Sequence, residues 1–296
     1  MHKAGFVNIV GNPNVGKSTL MNQLVGEKLS IATFKAQTTR HRIMGIVNTE
    51  DTQIVFSDTP GVLKPNYKMQ EMMLQFSESA LADADILLYV TDVVEDPEKN
   101  MDFLEKVSKM SIPVILLINK IDESDQKTLG NLVTKWHGLL HNAEILPISA
   151  KNKFGVDILL KRVHELLPES PAFFDKDQLT DKPAKFFVSE IIREKILRYY
   201  DKEIPYSVEV VIERFKEDDR QIHISAIIYV ERSSQKGIII GHQGMALKKV
   251  STEARKSLER FFDKKIFLET FVKVDKDWRN SQIGRASCRE RVYVLV

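Results

Sequence analysis

Eight residues near the start of the chain, Gly11-Asn12-Pro13-Asn14-Val15-Gly16-Lys17-Ser18, fit the pattern G-x-x-x-x-G-K-[ST]. The glycines let the backbone turn so that successive N–H groups converge on phosphate oxygens, and a helix starting behind them adds the positive end of its dipole. In such a loop Lys17 reaches the β- and γ-phosphates, the Ser18 hydroxyl ligates Mg2+, and Thr19 is grouped with the nucleotide-binding residues. Asp58-Thr59-Pro60-Gly61 follows the run TQIVFS, which puts the Asp58 carboxylate at the C-terminal end of a strand. There it can hold Mg2+ through water, while the Gly61 N–H is open to a γ-phosphate. Asn119-Lys120-Ile121-Asp122 closes the run PVILLI. A carboxylate at Asp122 can accept from both the ring N–H and the exocyclic amine of guanine, a pair that adenine does not present, so the expected nucleotide is GTP. Ser149-Ala150-Lys151, after a further run, would brace the base, with the Ala150 N–H at the guanine carbonyl; Ser149 also suits a helix N-cap.

These motifs need strand ends and helix starts to hold them. The first part of the chain alternates FVNIVG, KSTLMNQLVG, TQIVFSD, ADILLYVTD, PVILLINK and AEILPIS. Strands separated by helix-length segments imply parallel crossovers and an α/β sheet covered on both faces. Apolar residues between Phe154 and Leu167 are spaced for one helical face, and Pro168 stops that helix. The segment PESPAFFDKDQLTDKP then reads as an interdomain connection, in which Phe173 and Phe174 are expected to dock one domain on the other. In order and placement the four motifs resemble a translation-factor-class GTPase. That resemblance makes Thr38 or Thr39, in ATFKAQTTRHR, the switch threonine that closes on Mg2+ and the γ-phosphate; the segment alone does not choose between them. Lys17, Thr38, Thr39 and Gly61 are the expected catalytic group.

After the connection the order changes to a helix (Ala184 to Tyr200), two alternating strands (Tyr206 to Phe215 and Gln221 to Glu231) around the turn KEDDR, a helix from Ala246 to Phe262 and a third strand-like run, IFLETFVKV. Gly241-His242-Gln243-Gly244 stands directly before the second helix. A G-x-x-G loop in an α-β-β, G-x-x-G, α-β order resembles a type II KH domain, whose loop lets a nucleic-acid backbone approach closely beside a groove for single-stranded bases. Ile240, Gly241, His242, Gln243, Gly244, Lys248, Lys249 and Arg255 are the expected RNA contacts, and residues 236–279 carry 11 Lys and Arg against 6 Asp and Glu. Salt-sensitive RNA binding is the consequence.

The motifs GNPNVGKSTLMNQLVG, KAQTTRHRI, SDTPG, NKID and PISAKN, followed by SEIIREKILRYYDKEIPYSVEVVIERF and IIIGHQGMALKKV, resemble the Era family of bacterial GTPases over residues 4 to about 279. The resemblance implies a P-loop GTPase domain with a mixed, mostly parallel sheet (1–168), a linker (169–183) and a type II KH domain (184–281). It further implies a ribosome-assembly factor that hydrolyses GTP, binds small-subunit (16S) ribosomal RNA near its 3′ end and the 30S subunit in the GTP state, and releases in the GDP state. Many GTPases carry a water-orienting glutamine after the D-T-P-G turn; here the residue is Val62, so slow intrinsic hydrolysis stimulated by RNA is expected. A non-enzymatic RNA chaperone with a nucleotide-sensing domain is the alternative that Val62 suggests. Asn14 matches the position at which related GTPases bind a potassium ion beside the phosphates.

Composition limits the remaining classes. The 296 residues are 43% hydrophobic and 28% charged, enough for two packed cores, and the apolar runs are far shorter than the ~20 residues of a membrane span. With no leader pattern the chain reads as cytoplasmic, and with one cysteine, Cys288, as free of disulfides and zinc; a monomer is expected, with peripheral membrane contact left open. The net charge of +2 divides into −4 over residues 1–180 and +6 over 181–296. Past Ser281 the resemblance stops, and residues 282–296, QIGRASCRERVYVLV, are expected to be a foreign or frame-shifted end, with a lineage-specific extension as the alternative.

Overall fold

A computed structural model describes residues 2–35, 37–62, 65–276 and 278. Cys288 and the doubted segment 282–296 lie outside the described residues. The chain forms two compact units, the first made by residues up to Asp181 apart from Tyr67–Met69, the second by those three residues, which include the first two of the helix 68–82, and by the residues from Lys182 on.

The first unit runs β1 (Lys3–Gly11), α1 (Lys17–Val25), β2 (Ile43–Asn48), β3 (Thr52–Asp58), α2 (Lys68–Ala82), β4 (Ile86–Asp92), α3 (Met101–Ser108), β5 (Val114–Asn119), α4 (Gln126–Leu139), β6 (Ala143–Pro147) and α5 (Val156–Leu166). Its sheet has the order β2-β3-β1-β4-β5-β6. Every neighbouring pair is parallel except β2 with β3. Strands β3, β4 and β5 are buried along their whole length, as expected for a sheet with both faces covered. That burial explains why these strands read as continuous apolar runs. Strand β2 is less legible: RIMGIVN follows a polar segment, and its pairing with β3 across a short turn is what makes it a strand.

The segment after Pro168 lies along this unit. Lys3 bridges to Glu169 and Gly45 to Thr180. The rings of Phe173 and Phe174 meet Phe6, the first at 4.8 Å between centroids. Gln53, fully buried, accepts from the Phe173 and Phe174 N–H groups at 2.7 and 3.0 Å and donates to Phe174 O at 2.8 Å. The two phenylalanines therefore anchor the connecting segment to β1 and β3, where docking of domain on domain was expected.

The second unit runs α6 (Ala184–Tyr199), β7 (Val208–Glu217), β8 (Gln221–Val230), α7 (Ser233–Ile240), α8 (Met245–Phe262) and β9 (Lys265–Val274). Its sheet, β7-β8-β9, has one antiparallel and one parallel pair. The order is thus α-β-β-α-α-β, one helix more than the sequence suggests. The β-branched run Ile238-Ile239-Ile240 conceals α7, which starts where Gln235 Oε1 accepts from the Glu231 and Arg232 N–H groups at 3.0 Å and which buries Ile239 in the core of the unit. Val188, Ile192 and Ile196 of α6 join Ile224, Ala226 and Ile228 of β8 and Val250, Ala254 and Leu258 of α8 in that core. Among the described residues no helix is long and apolar enough to cross a membrane.

Candidate functional site

The loop between β1 and α1 adopts the tight path its glycines permit. Gly11 and Gly16 have φ of 142° and 98°, and Asn14 lies at 67°. A Cβ on Gly11 would stand 2.1 Å from the Val90 carbonyl, and one on Gly61 2.6 Å from Pro13 N, so the D-T-P-G turn sits directly against the loop. No side chain fits at either place. Lys17 is buried and its Nζ donates to the carbonyls of Gly11 at 3.0 Å and Asn12 at 2.7 Å. Burial pulls its ammonium down to about 8, against the opposing charges of Asp58 and Glu95.

Asp58, at the end of β3, is buried. Its Oδ2 accepts from Ser18 Oγ at 2.7 Å and from Thr39 Oγ1 at 3.3 Å, and the two hydroxyls are 2.8 Å apart. Burial raises the Asp58 carboxyl above its ordinary range; Lys17 and the hydroxyls of Ser18 and Thr39 oppose the rise. Oδ1 of Asp58 is buried and makes no hydrogen bond. Three hard oxygen donors and an unsatisfied carboxylate oxygen beside a phosphate loop fit Mg2+. The Thr38 hydroxyl instead bonds Thr33 Oγ1 at 2.7 Å and donates to the Lys35 carbonyl. Thr39, not Thr38, therefore stands with Ser18 and Asp58. Thr59 Oγ1 donates to Ile9 O at 2.8 Å, and Pro60 O accepts from Ser77 Oγ at 2.8 Å, fixing the turn from both sides. Val62 packs in the core while its N–H donates to Gly11 O at 3.1 Å, so its side chain is turned away from the phosphate loop.

At the ends of β5 and β6 the base-binding motifs interlock. Asn119 donates from Nδ2 to Val15 O at 2.8 Å and accepts at Oδ1 from Ala150 N at 2.9 Å, joining three motifs through one buried amide. Lys120 takes φ 61° and its ammonium meets Asp92 Oδ2 at 2.5 Å. Asp122 is exposed, and Ser149 Oγ donates to its Oδ1 at 2.6 Å, which holds the carboxyl below its ordinary value. Ser149 also pairs with Phe154 through both backbone groups, and Lys151 is exposed. A carboxylate facing solvent beside a fixed Ala150 amide is suited to the edge of a guanine base.

Sequence reasoning missed the supports. Asn12 is held by Asn100 and Glu95, and Asp92, which binds Lys120, also accepts from the Val94 and Glu95 N–H groups at 3.0 and 2.9 Å. Asp92 ends a buried strand beside β1, and an acidic residue at such a strand end was the available signal.

In the second unit the G-x-x-G residues join α7 to α8. Gly241, Gln243 and Gly244 have φ of 70°, 48° and 74°. Beyond the loop, a cleft of about 340 Å³ is lined by Gly244, Leu247, Lys248, Arg255 and, from β9, Leu268 and Thr270. Lys248 and Arg255 face it, with Arg255 also paired to Glu259 at 2.6 Å, while Lys249 lies over the Tyr199 ring at 4.7 Å. His242 and Gln243 are on the loop, and Ile240 ends α7. The polar floor formed by Ser251 and Thr270, 2.7 Å apart, was not foreseen.

Comparison with known proteins agrees with both units. Residues 6–120 match the family model described as 50S ribosome-binding GTPase, and residues 203–279 match the KH domain model. GTPase Era of Clostridium kluyveri is 44% identical over 283 residues, covering 95% of this chain and 97% of the relative. The chain belongs to the Era family of GTPases. Among other Era proteins, that of Staphylococcus haemolyticus is 42% identical and covers 94% of each chain. The crystal structure of Era with MgGDPNP and nucleotides 1506–1542 of 16S ribosomal RNA is 37% identical, with a TM-score of 0.91, and covers 96% of this chain and 97% of that one. An Aquifex aeolicus Era variant bound to GDP·AlF4− gives the same identity and TM-score over 95% and 97% of the two chains.

Proposed function

We propose that the chain is a Mg2+-dependent GTP switch that binds small-subunit ribosomal RNA near its 3′ end, assists assembly of the 30S subunit in the cytoplasm, and releases the RNA in its GDP state. The observation that carries this is the convergence of Ser18, Thr39 and Asp58 beside buried Lys17, in a chain that also contains a G-x-x-G cleft. The solved Era complex, which holds both MgGDPNP and 16S RNA nucleotides, supports joining the two halves in one function.

In this reading the loop from Gly11 to Ser18, with Thr19 behind it, takes the phosphates; Lys17 balances charge on the β- and γ-phosphates; and Asn119, Asp122 and Ala150 hold guanine, with Lys120, Ser149 and Lys151 around them. Ser18, Thr39 and Asp58 hold Mg2+, which would supply charge neutralisation between the phosphates. Thr39 and Gly61 sense the γ-phosphate. With Val62 turned inward, the attacking water is oriented by backbone groups of the switch segments, whose ordering RNA promotes. Asn14, exposed and with φ 67°, helps to hold K+ beside the phosphates in this reading. In the second unit Lys248 and Arg255 draw the RNA backbone across Gly241–Gly244 and bases enter the cleft.

A GTPase assay with and without a 16S 3′-end RNA, in potassium and in sodium buffer, tests the reading. Hydrolysis that rises with RNA and potassium and disappears in Lys17→Ala is expected. A full rate without RNA would refute the coupling, and equal rates in the two salts would refute the potassium assignment.

A further inference from the structure

Arg42 stands immediately before β2, three residues beyond Thr39, and its side chain is only 9% exposed. Its guanidinium reaches three separate parts of the first unit. Nε donates to Ser57 Oγ on β3 at 2.6 Å, Nη1 to Asp83 Oδ2 at 2.6 Å, and Nη2 to Asp83 Oδ1 at 2.9 Å and Asn8 Oδ1 at 3.1 Å. Asn8, fully buried on β1, completes the network by donating to Ala80 O and Asp83 Oδ1, each at 2.7 Å. The Arg42–Asp83 pair is bidentate, which fixes direction as well as distance.

Sequence neighbours give the network its meaning. Ser57 precedes Asp58, and Ile43, next to Arg42, sits opposite Asp58 in the β2–β3 ladder. A slip of one residue in that ladder would turn every β2 side chain to the other face and carry Thr39 away from Ser18 and Asp58. Asp83 directly follows α2, the helix beyond the D-T-P-G turn. None of the four side chains belongs to the phosphate loop or the base motifs.

The geometry points to Arg42 as a positioning residue that ties the segment carrying Thr39 to the strand ending at Asp58 and to the far end of the helix beyond the D-T-P-G turn. It locks the register that brings Thr39 to Asp58, and through Asp83 it ties that register to the C-terminal end of α2. The inference rests on the reading of Thr39 and Gly61 as γ-phosphate sensors. It makes Arg42 a determinant of triphosphate over diphosphate binding.

Arg42→Lys keeps the charge and loses the fork, whereas Asp83→Asn, at a side chain 48% exposed, keeps the shape and loses the charge. Dissociation constants for GDP and a non-hydrolysable GTP analogue in Mg2+, with single-turnover hydrolysis, provide the test. Each variant should leave the GDP constant within about twofold while raising the analogue constant about tenfold and slowing turnover similarly. The double variant should be no worse than either single one, because both break the same link. Equal weakening of GDP and analogue, or an unchanged ratio between them, would overturn the inference. Asp83→Asn decides the matter if Arg42→Lys does not fold. Thr39→Ala run in parallel separates the failures: no loss of analogue preference there sinks the sensor reading itself, while a normal loss there with unaffected Arg42 and Asp83 variants sinks only the link.

Discussion

Replacing Asn119 by alanine tests the interlock of the nucleotide site at its narrowest point. The side chain satisfies two buried backbone groups at once, Val15 O at 2.8 Å and Ala150 N at 2.9 Å, and is itself only 3% exposed. Its removal orphans both, at about 1–3 kcal/mol each. In the free protein the loops can relax and recover part of this. Bound nucleotide must restore the geometry of the Ala150 amide against the phosphate loop, so at least one bond's worth, about 1–3 kcal/mol, should return as lost affinity. That corresponds to dissociation constants raised about 5- to 150-fold. The loss should be the same for GDP and a GTP analogue, because neither Asn119 bond involves Thr39 or Gly61, the proposed γ-phosphate sensors. Titration with fluorescent analogues of both nucleotides measures it, and thermal unfolding of the free protein reads the unrecovered part at about 2–4 °C per kcal/mol. Gly16→Ala should act the same way, since a Cβ there would lie 2.2 Å from Asn119 Nδ2 at a φ of 98°. Affinities within twofold of the parent, or a loss confined to the triphosphate, would refute the reasoning.

Lys17 carries a pH signature. Its ammonium is depressed to about 8 from an unfolded value of 10.5, so the unfolded chain binds the proton more tightly and the free protein should gain stability as pH rises from 8 to 10.5. Phosphates should restore the charge, so GDP binding near pH 9 should take up a proton, seen by calorimetry in buffers of different ionisation enthalpy and lost in Lys17→Ala. Thr39→Ala should slow Mg2+-dependent hydrolysis by at least about tenfold while Thr38→Ala changes it little, as single-turnover rates would show. Lys248→Ala should weaken binding of 16S 3′-end RNA and reduce the salt slope by about one unit, whereas Lys249→Ala, whose cation lies on Tyr199, should leave that slope nearly unchanged.

The candidate site was legible because each motif must present particular atoms at particular spacings. Gly11 and Gly16 have to turn the backbone, Lys17 and Ser18 follow at fixed offsets, and Asp58 and Asn119 stand where apolar runs end, so strand ends and site coincide in the text of the sequence. The central strands β3, β4 and β5 were legible for a related reason: burial on both faces demands unbroken apolar runs.

What the chain alone left open depended on contacts between distant segments. Thr38 and Thr39 are adjacent and chemically identical, and only the positions of Ser18 and Asp58 separate them. The run Ile238-Ile239-Ile240 has strand character, yet packing of Ile239 and the Gln235 bonds make it a helix, an override of local propensity by tertiary context. Gln53, Asp83 and Asp92 do not reveal their bonds to Phe174, Arg42 and Lys120 because those partners lie 28 or more positions away. Spacing in sequence determines which groups can share a loop; burial decides which polar groups must find partners across the fold, and that requirement appears only once the chain has closed.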